Sequence, residues 1–499
     1  MKYFFLAVSC LVCQMVLAQK EALPFAKTIT PQLLKQHLEI IASPNMEGRA
    51  TASAGQQRAA EYIEKQFQTI GLQPGNGQSY QQPFPVYQDD SIHAALSVNG
   101  RQFKWTSDFS LLPTSTATQL NFAEAIFVGY GLVDSSSQIN DYQNLSVKDK
   151  LVVVLSGAPA NCPLSASQTS VTAKINNAKA KGASAICIVV SNLSTVKNAL
   201  ITKRLYFQPP ANTIANICIS TQVAAAIMGL PTNTDLATFD KLAANTSAAK
   251  IDLLIQRNTQ QLTSTNVVGV LEGTDKKAEY VVLTAHYDHL GVRNGKTYCG
   301  ADDDGSGTTA VLAMAKAFAA AKKEGKAPRR TIVFMTVSGE ENGLWGSQYY
   351  SEHPLFPLEN TSANLNTDMV GRVGSDFKGD TSNYLYIIGD DKLSTDLASI
   401  TDSVNQQFQL ILDRKYNDLN DPNRFYFRSD HYNFARKGVP VIFYFNGVHA
   451  DYHQPSDTVD KINFPLMQKR VQFIFCTAWC IANSNHLLKR NLPLQIPAR

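Results

Sequence analysis

The stretches TAHYDHLG (284–291) and CGADDDGSG (299–307) crowd histidines and acids beside glycines within one short region of a 499-residue chain. A polar surface loop can be this rich. Further along, however, Glu340-Glu341, Asp368 and His453 also follow apolar runs. Imidazole nitrogen and carboxylate oxygen are ordinary zinc donors, at about 2.0–2.2 Å. His286, Asp303, Glu341, Asp368 and His453 together offer imidazoles and carboxylates in a set that suits a pair of zinc ions. One carboxylate must then bridge ions roughly 3.5–4 Å apart, which a monodentate histidine cannot do. A hydroxide between the metals would be the nucleophile, and an acid free of metal must take and return its proton. The adjacent Glu340 and Glu341 supply one acid for each task.

Such residues must be brought together by the elements before them. YVVLTA (280–285), TIVFMTV (331–337), NYLYIIG (383–389) and VPVIFYF (439–445) read as buried strands. Helical stretches near 306–324, 343–352 and 393–408 lie between them, and 465–487 reads as a final helix. The fold class is therefore α/β, a mostly parallel central sheet flanked by helices. In open sheets of this kind functional groups gather at the carboxyl ends of strands. His286 and Asp288 end the first run, Glu340 and Glu341 the second, Asp368 ends ANLN, and His453 follows the last after a loop. Upstream, 31–42 and 54–70 have helical periodicity. In the second, Ala59, Ile63, Phe67 and Ile70 share a face and Gly71 supplies a stop. Asn99-Gly100 is a hairpin signal. From about 110 to 260 acids thin out and a small separate module is expected.

TAHYDHLG, GADDDGSG, SGEENGLWGS, NTDMVGR and YHQPSDTVDKI together resemble the M28 family of zinc aminopeptidases. The resemblance implies a zinc exopeptidase fold, with His286 and Asp368 on one ion, Glu341 and His453 on the other, and Asp303 bridging. It further implies Glu340 as general acid/base, Asp288 as the group fixing the His286 ring, and a cis peptide at Asp303-Asp304. Tyr452 takes a position where some relatives polarise the substrate carbonyl. FVGYGL, DYQNLSVKDKLVVVLSG and KINNAKAKGASAICIVVSN resemble a protease-associated domain. The expected organisation is a signal peptide over 1–18, peptidase sequence over 19–109, the inserted domain over 110–262, and the catalytic part over 263–499.

The remaining features bound the function. A net charge of +4 with no basic run argues against nucleic acid or an anionic membrane as partner. MKYFFLAVSCLVCQMVLAQK has the form of a cleaved signal peptide, too short for a membrane anchor, so the protein is expected to be secreted or periplasmic. Beyond it the cysteines Cys162, Cys187, Cys218, Cys299, Cys476 and Cys480 do not make a disulfide scaffold. His289 reads as a loop residue, and Asp457 and Asp460 as turn and cap residues. Ser429-Asp430-His431 lacks a nucleophile elbow and is no triad; at most it supports the site. Peptides are the expected substrates, entering as N-terminal residues. Arg424 and Arg428 could instead clamp a C-terminal carboxylate, as in a carboxypeptidase or dipeptidase. A glutaminyl cyclase or a catalytically silent receptor module fits the intact ligand set less well. Tyr298, Tyr426 and Phe427 are candidate walls for a side-chain pocket.

Overall fold

The computed structural model describes residues 20–195, 204–208 and 213–496, so the expected signal peptide lies outside the described residues. The chain divides into two compact units, Met1–Pro85 with Thr263–Arg499, and Val86–Leu262.

The second unit starts ahead of residue 110. Gln81–Val98 returns through Asn99 (φ 51°) and Gly100 (φ 82°) to pair antiparallel with Arg101–Phe103. Leu96, Val98, Phe103 and Phe109 are buried in the same cluster as Leu151 and Val153, which draws this stretch into the unit. Its centre is a run of parallel strands, Thr118–Phe127, Leu151–Leu155, Ala185–Val189 and Ala215–Ile219. Both faces are covered, so alternate residues enter different cores: Val153 and Leu155 on one side, Val152 and Val154 on the other. That is why LVVVL is continuously apolar.

In the first unit the strands are β1 (Asn245–Leu271, through its residues 267–271), β2 (Lys276–His286), β3 (Arg330–Val337), β4 (Thr361–Thr367), β5 (Tyr384–Ile388), β6 (Ile411–Asp413) and β7 (Val441–Phe445). Their order is β6-β5-β7-β4-β2-β3-β1. β7, β4, β2 and β3 are mutually parallel, β1 is antiparallel to β3, and β5 is antiparallel to β7 but parallel to β6. The pleat sends Val281, Leu283, Phe334 and Leu365 to one core and Val282, Val333, Met335 and Phe443 to the other.

Helices α1 (Pro31–Ile41), α2 (Ala54–Ile70), α3 (Gly307–Lys323) and the late helix Phe464–Asn483 supply the first core, including Leu34, Ile63, Phe318 and Phe475. Thr30 and Ser53 cap α1 and α2 by accepting from Leu33 and Gln56, and Gly71 ends α2 at φ 89°. The parallel centre leaves the carboxyl ends of β2, β3, β4 and β7 side by side, and the polar loops start there.

Candidate metal centre

His286 is the last residue of β2, and its ring is buried. Asp303 lies in an irregular turn between the strand and α3, Glu340 and Glu341 follow β3, and Asp368 follows β4. His453 sits in the loop after β7 with φ 56°, a left-handed conformation uncommon for a residue with a Cβ. These sequence-distant groups converge. His286 Nε2 is 3.3 Å from Asp303 Oδ1 and 3.6 Å from Asp368 Oδ1. His453 Nε2 is 3.1 Å from both Asp303 Oδ2 and Glu341 Oε2.

Donors about 2.1 Å from a tetrahedral ion stand about 3.4 Å from one another. The observed separations match such edges on both sides of Asp303. Its carboxylate gives one oxygen to each histidine, as a bridging ligand must. The buried Asp303 Oδ2 and Glu341 Oε1 have no hydrogen-bond partner, an expensive state unless a cation meets them. His286 Nδ1 meets the Asp288 carbonyl at 3.1 Å, which places its proton there and leaves Nε2 as the free donor. The residues present therefore fit zinc.

The comparisons agree with this chemistry. Residues 266–477 match the sequence model described as Peptidase family M28. These residues form a peptidase family M28 domain. A probable leucine aminopeptidase of Arthroderma otae is 30% identical over 216 residues, 42% of this chain and 56% of that protein. Aminopeptidase YwaD of Bacillus subtilis is 33% identical over 130 residues, 26% of each. The chain thus spans about half of the first relative and a quarter of the second. An aminopeptidase structure from Aneurinibacillus sp. strain AM-1 superposes over 95% of this chain and 99% of that one, at TM-score 0.52 and 19% identity, a likeness of fold.

Around the M28 domain's central donors lies a buried scaffold that the sequence only partly announces. Ser429 Oγ donates to Asp368 Oδ2 at 2.6 Å and accepts from Asn366 Nδ2 at 2.8 Å, while Thr284 Oγ1 donates to Asn366 Oδ1 at 2.7 Å. Ser429 is thus a support, as the sequence suggests. Asp457, which reads as a turn residue, is buried and accepts the Asp303 N–H at 3.1 Å and the Asp302 N–H at 3.0 Å. Asp302 in turn faces His449 Nε2 at 3.1 Å and accepts from Gly371 N at 2.7 Å.

Asp304 stands close to His286 and Asp368. Its carboxylate accepts the N–H groups of His286 (3.2 Å), Gly307 (2.8 Å) and Met369 (3.0 Å), and so ties together the backbone of β2, the start of α3 and the loop after β4. The Asp303-Asp304 peptide is cis.

Other expectations need adjusting. The Asp288 carboxylate lies 3.7 Å from His286 Nδ1, beyond hydrogen-bond length. Its backbone carbonyl orients the ring, while the carboxylate accepts from Thr51 Oγ1 (2.8 Å) and Glu340 N (3.2 Å). His289 is no loop bystander. It is buried, with Nδ1 2.7 Å from Glu341 Oε1 though misaligned for a hydrogen bond, and edge-on to His453. The burial comes from close packing: a Cβ on Gly300 would stand 2.6 Å from the His289 ring. No spacing in the sequence announces that contact.

His286, Asp303, Glu340, Asp368 and Tyr452 open onto a pocket walled by Met369, Phe425, Phe443, Phe445 and Val448, with Arg428 also lining it. The expected aromatics are elsewhere. Tyr426 is buried in the core, and Tyr298 faces Arg293. Arg424 lies over Phe427 and does not line the pocket. Tyr452 stacks on His453 with centroids 3.9 Å apart, and Arg428 donates to its hydroxyl at 3.4 Å. Burial, reinforced by Asp303 and Glu341, pushes the Tyr452 phenol up and keeps it protonated. Burial likewise raises the Glu340 carboxyl well above the carboxylate range; His286 opposes the shift, and Asp368, Glu341 and Asp430 reinforce it.

Proposed function

We propose that this protein is an exported two-zinc aminopeptidase that removes apolar N-terminal residues from peptides. The reading is carried by Asp303, whose two oxygens face His286 and His453 separately. His286, Asp303 and Asp368 would hold one ion, and Asp303, Glu341 and His453 the other. Zinc bound there supplies a Lewis acid for the scissile carbonyl and lowers the pKa of the attacking water.

The chain's own residues do the rest. Glu340 is free of the ligand set, with Oε2 3.9 Å from His286 Nε2. Its carboxyl lines the same pocket and is placed to take the water's proton and pass it to the leaving amine. The protonated Tyr452 hydroxyl opens onto the same pocket and is placed to donate to the carbonyl oxygen as charge develops. Phe425, Phe443, Phe445, Val448 and Met369 exclude water from the neighbouring volume and accept an apolar side chain.

Export is supported by the leader-like first 18 residues; among the described residues no helix is long and apolar enough to cross a membrane. The unit Val86–Leu262 is read as a protease-associated module, on its sequence resemblance and its covered parallel strands.

Arg428 on the pocket favours a second reading, a dipeptidase or carboxypeptidase that binds a terminal carboxylate. Matched peptides separate the two. An aminopeptidase cleaves free and C-amidated peptides and leaves N-acetylated ones intact. Cleavage that survives acetylation and stops on amidation would overturn the proposal.

A further inference from the structure

Arg49 is fully buried in the turn before α2. Its Nε donates to the Tyr287 carbonyl at 2.7 Å, one Nη to Ile41 (2.8 Å) and Cys299 (2.7 Å), and the other to Gly300 at 2.9 Å. Every acceptor is a main-chain oxygen. Tyr287 follows His286 directly, and Cys299 and Gly300 immediately precede the turn carrying Asp303. The guanidinium thus fastens together the backbone that presents two of the donors.

Contacts of the same segment repeat the arrangement independently. His289 N donates to the Arg49 carbonyl at 3.2 Å. Thr51 Oγ1 donates to Asp288 Oδ2 at 2.8 Å and accepts from Asn342 Nδ2 at 2.8 Å, joining the end of β2 to the Glu340 loop. Asp288 Oδ1 receives the Glu340 N–H itself. At Gly48 (φ +63°) an added Cβ would stand 2.4 Å from the Tyr298 oxygen and 2.6 Å from the Gly291 oxygen, so the segment lies directly on these loops. It also lies outside residues 266–477, the span of the M28 match.

We infer that Arg49 and Thr51 are positioning residues: Arg49 sets the separation of His286 from Asp303, and Thr51 sets Glu340 through Asp288. The inference rests on the aminopeptidase reading. A planar fork reaching carbonyls in several directions cannot be reproduced by an ammonium, so lysine is not a conservative replacement. Valine keeps the shape of Thr51 but offers Asp288 no proton.

The test compares Arg49→Lys, Thr51→Val and Thr51→Ser with the wild-type protein. Zinc affinity is read by chelator competition, kcat and KM on an apolar aminoacyl arylamide, and folding by circular dichroism. Arg49→Lys is expected to bind zinc about tenfold more weakly or worse, with activity recovering as zinc is raised. Thr51→Val is expected to lower kcat about tenfold with KM within twofold, and Thr51→Ser to restore it. A folded Arg49→Lys with wild-type zinc affinity overturns the role of Arg49. If that variant fails to fold, Thr51→Val decides: an unchanged kcat, or a loss that serine does not rescue, overturns the inference. A wild-type protein without zinc-dependent hydrolysis would instead remove the aminopeptidase reading itself.

Discussion

Replacing Ser429 by alanine removes a single oxygen from the buried chain Thr284–Asn366–Ser429–Asp368, and its effect on metal binding can be worked out beforehand. The 2.6 Å bond from Ser429 Oγ holds Asp368 Oδ2 and leaves Oδ1 facing His286 Nε2 at 3.6 Å. A hydrogen bond to a charged group contributes about 1.5–3 kcal/mol. At about 1.4 kcal/mol per decade, its loss weakens zinc at the His286–Asp368 side by roughly 10–100-fold. The second ion proposed for the Glu341–His453 side would share only Asp303 with it and should weaken by no more than about threefold by the same logic of local support. The alanine also strips Asn366 Nδ2 of its acceptor, costing about 1–3 kcal/mol of stability. Calorimetric zinc titration of the metal-free variant against a competing chelator resolves the two affinities. Equal weakening of both proposed ions, or loss confined to the Glu341–His453 side, would refute the assignment of Asp368 to one ion and the positioning role of Ser429.

Glu340→Gln keeps the side-chain shape and leaves the five proposed ligands in place. It should retain the wild-type zinc content while kcat falls by about 10²–10⁴; metal analysis beside an arylamide assay checks both, and wild-type turnover would exclude Glu340 as the base. His37 gives a pH signature apart from the site. Burial, with Lys316 assisting, lowers its pKa from 6.5 to about 4, and Nδ1 meets the Tyr62 hydroxyl at 2.7 Å. Above pH 6.5 both folded and unfolded states hold it neutral. Below that the unfolded chain takes the proton first, so stability declines as pH falls from 6.5 towards 4, by up to about 3 kcal/mol. Denaturant melts of metal-free His37→Phe should show a shallower decline across that window; an identical pH profile would remove His37 as its source.

Much of the centre was readable before any coordinates, and for a physical reason. Buried parallel strands need continuous apolar runs, so YVVLTA, TIVFMTV and VPVIFYF stood out, and polar residues at their carboxyl ends had to share one edge of the sheet. His286, Glu341, Asp368 and His453 became candidate donors by that rule and the donor chemistry of zinc, whereas Asp303 was singled out from Asp302 and Asp304 by the bridging requirement and the resemblance to the M28 family.

Other members were silent because their roles arise from contacts between segments remote in sequence. Arg49 looks like any surface arginine until its acceptors at 287 and 299–300 are seen. Asp457 has the composition of a turn and the position of a clamp on the Asp303 backbone. The pocket wall fell to Phe425, Phe443 and Phe445 rather than Tyr298 or Tyr426, because strand pleat and loop path, not residue type, decide which face an aromatic presents. Amino-acid order therefore determined the strands, the helices and the candidate donors, which depend on local periodicity and intrinsic chemistry. Tertiary structure alone decided which oxygens are left without a partner, which backbone each buried charge holds, and where His289 goes, since these depend on what packs against each group.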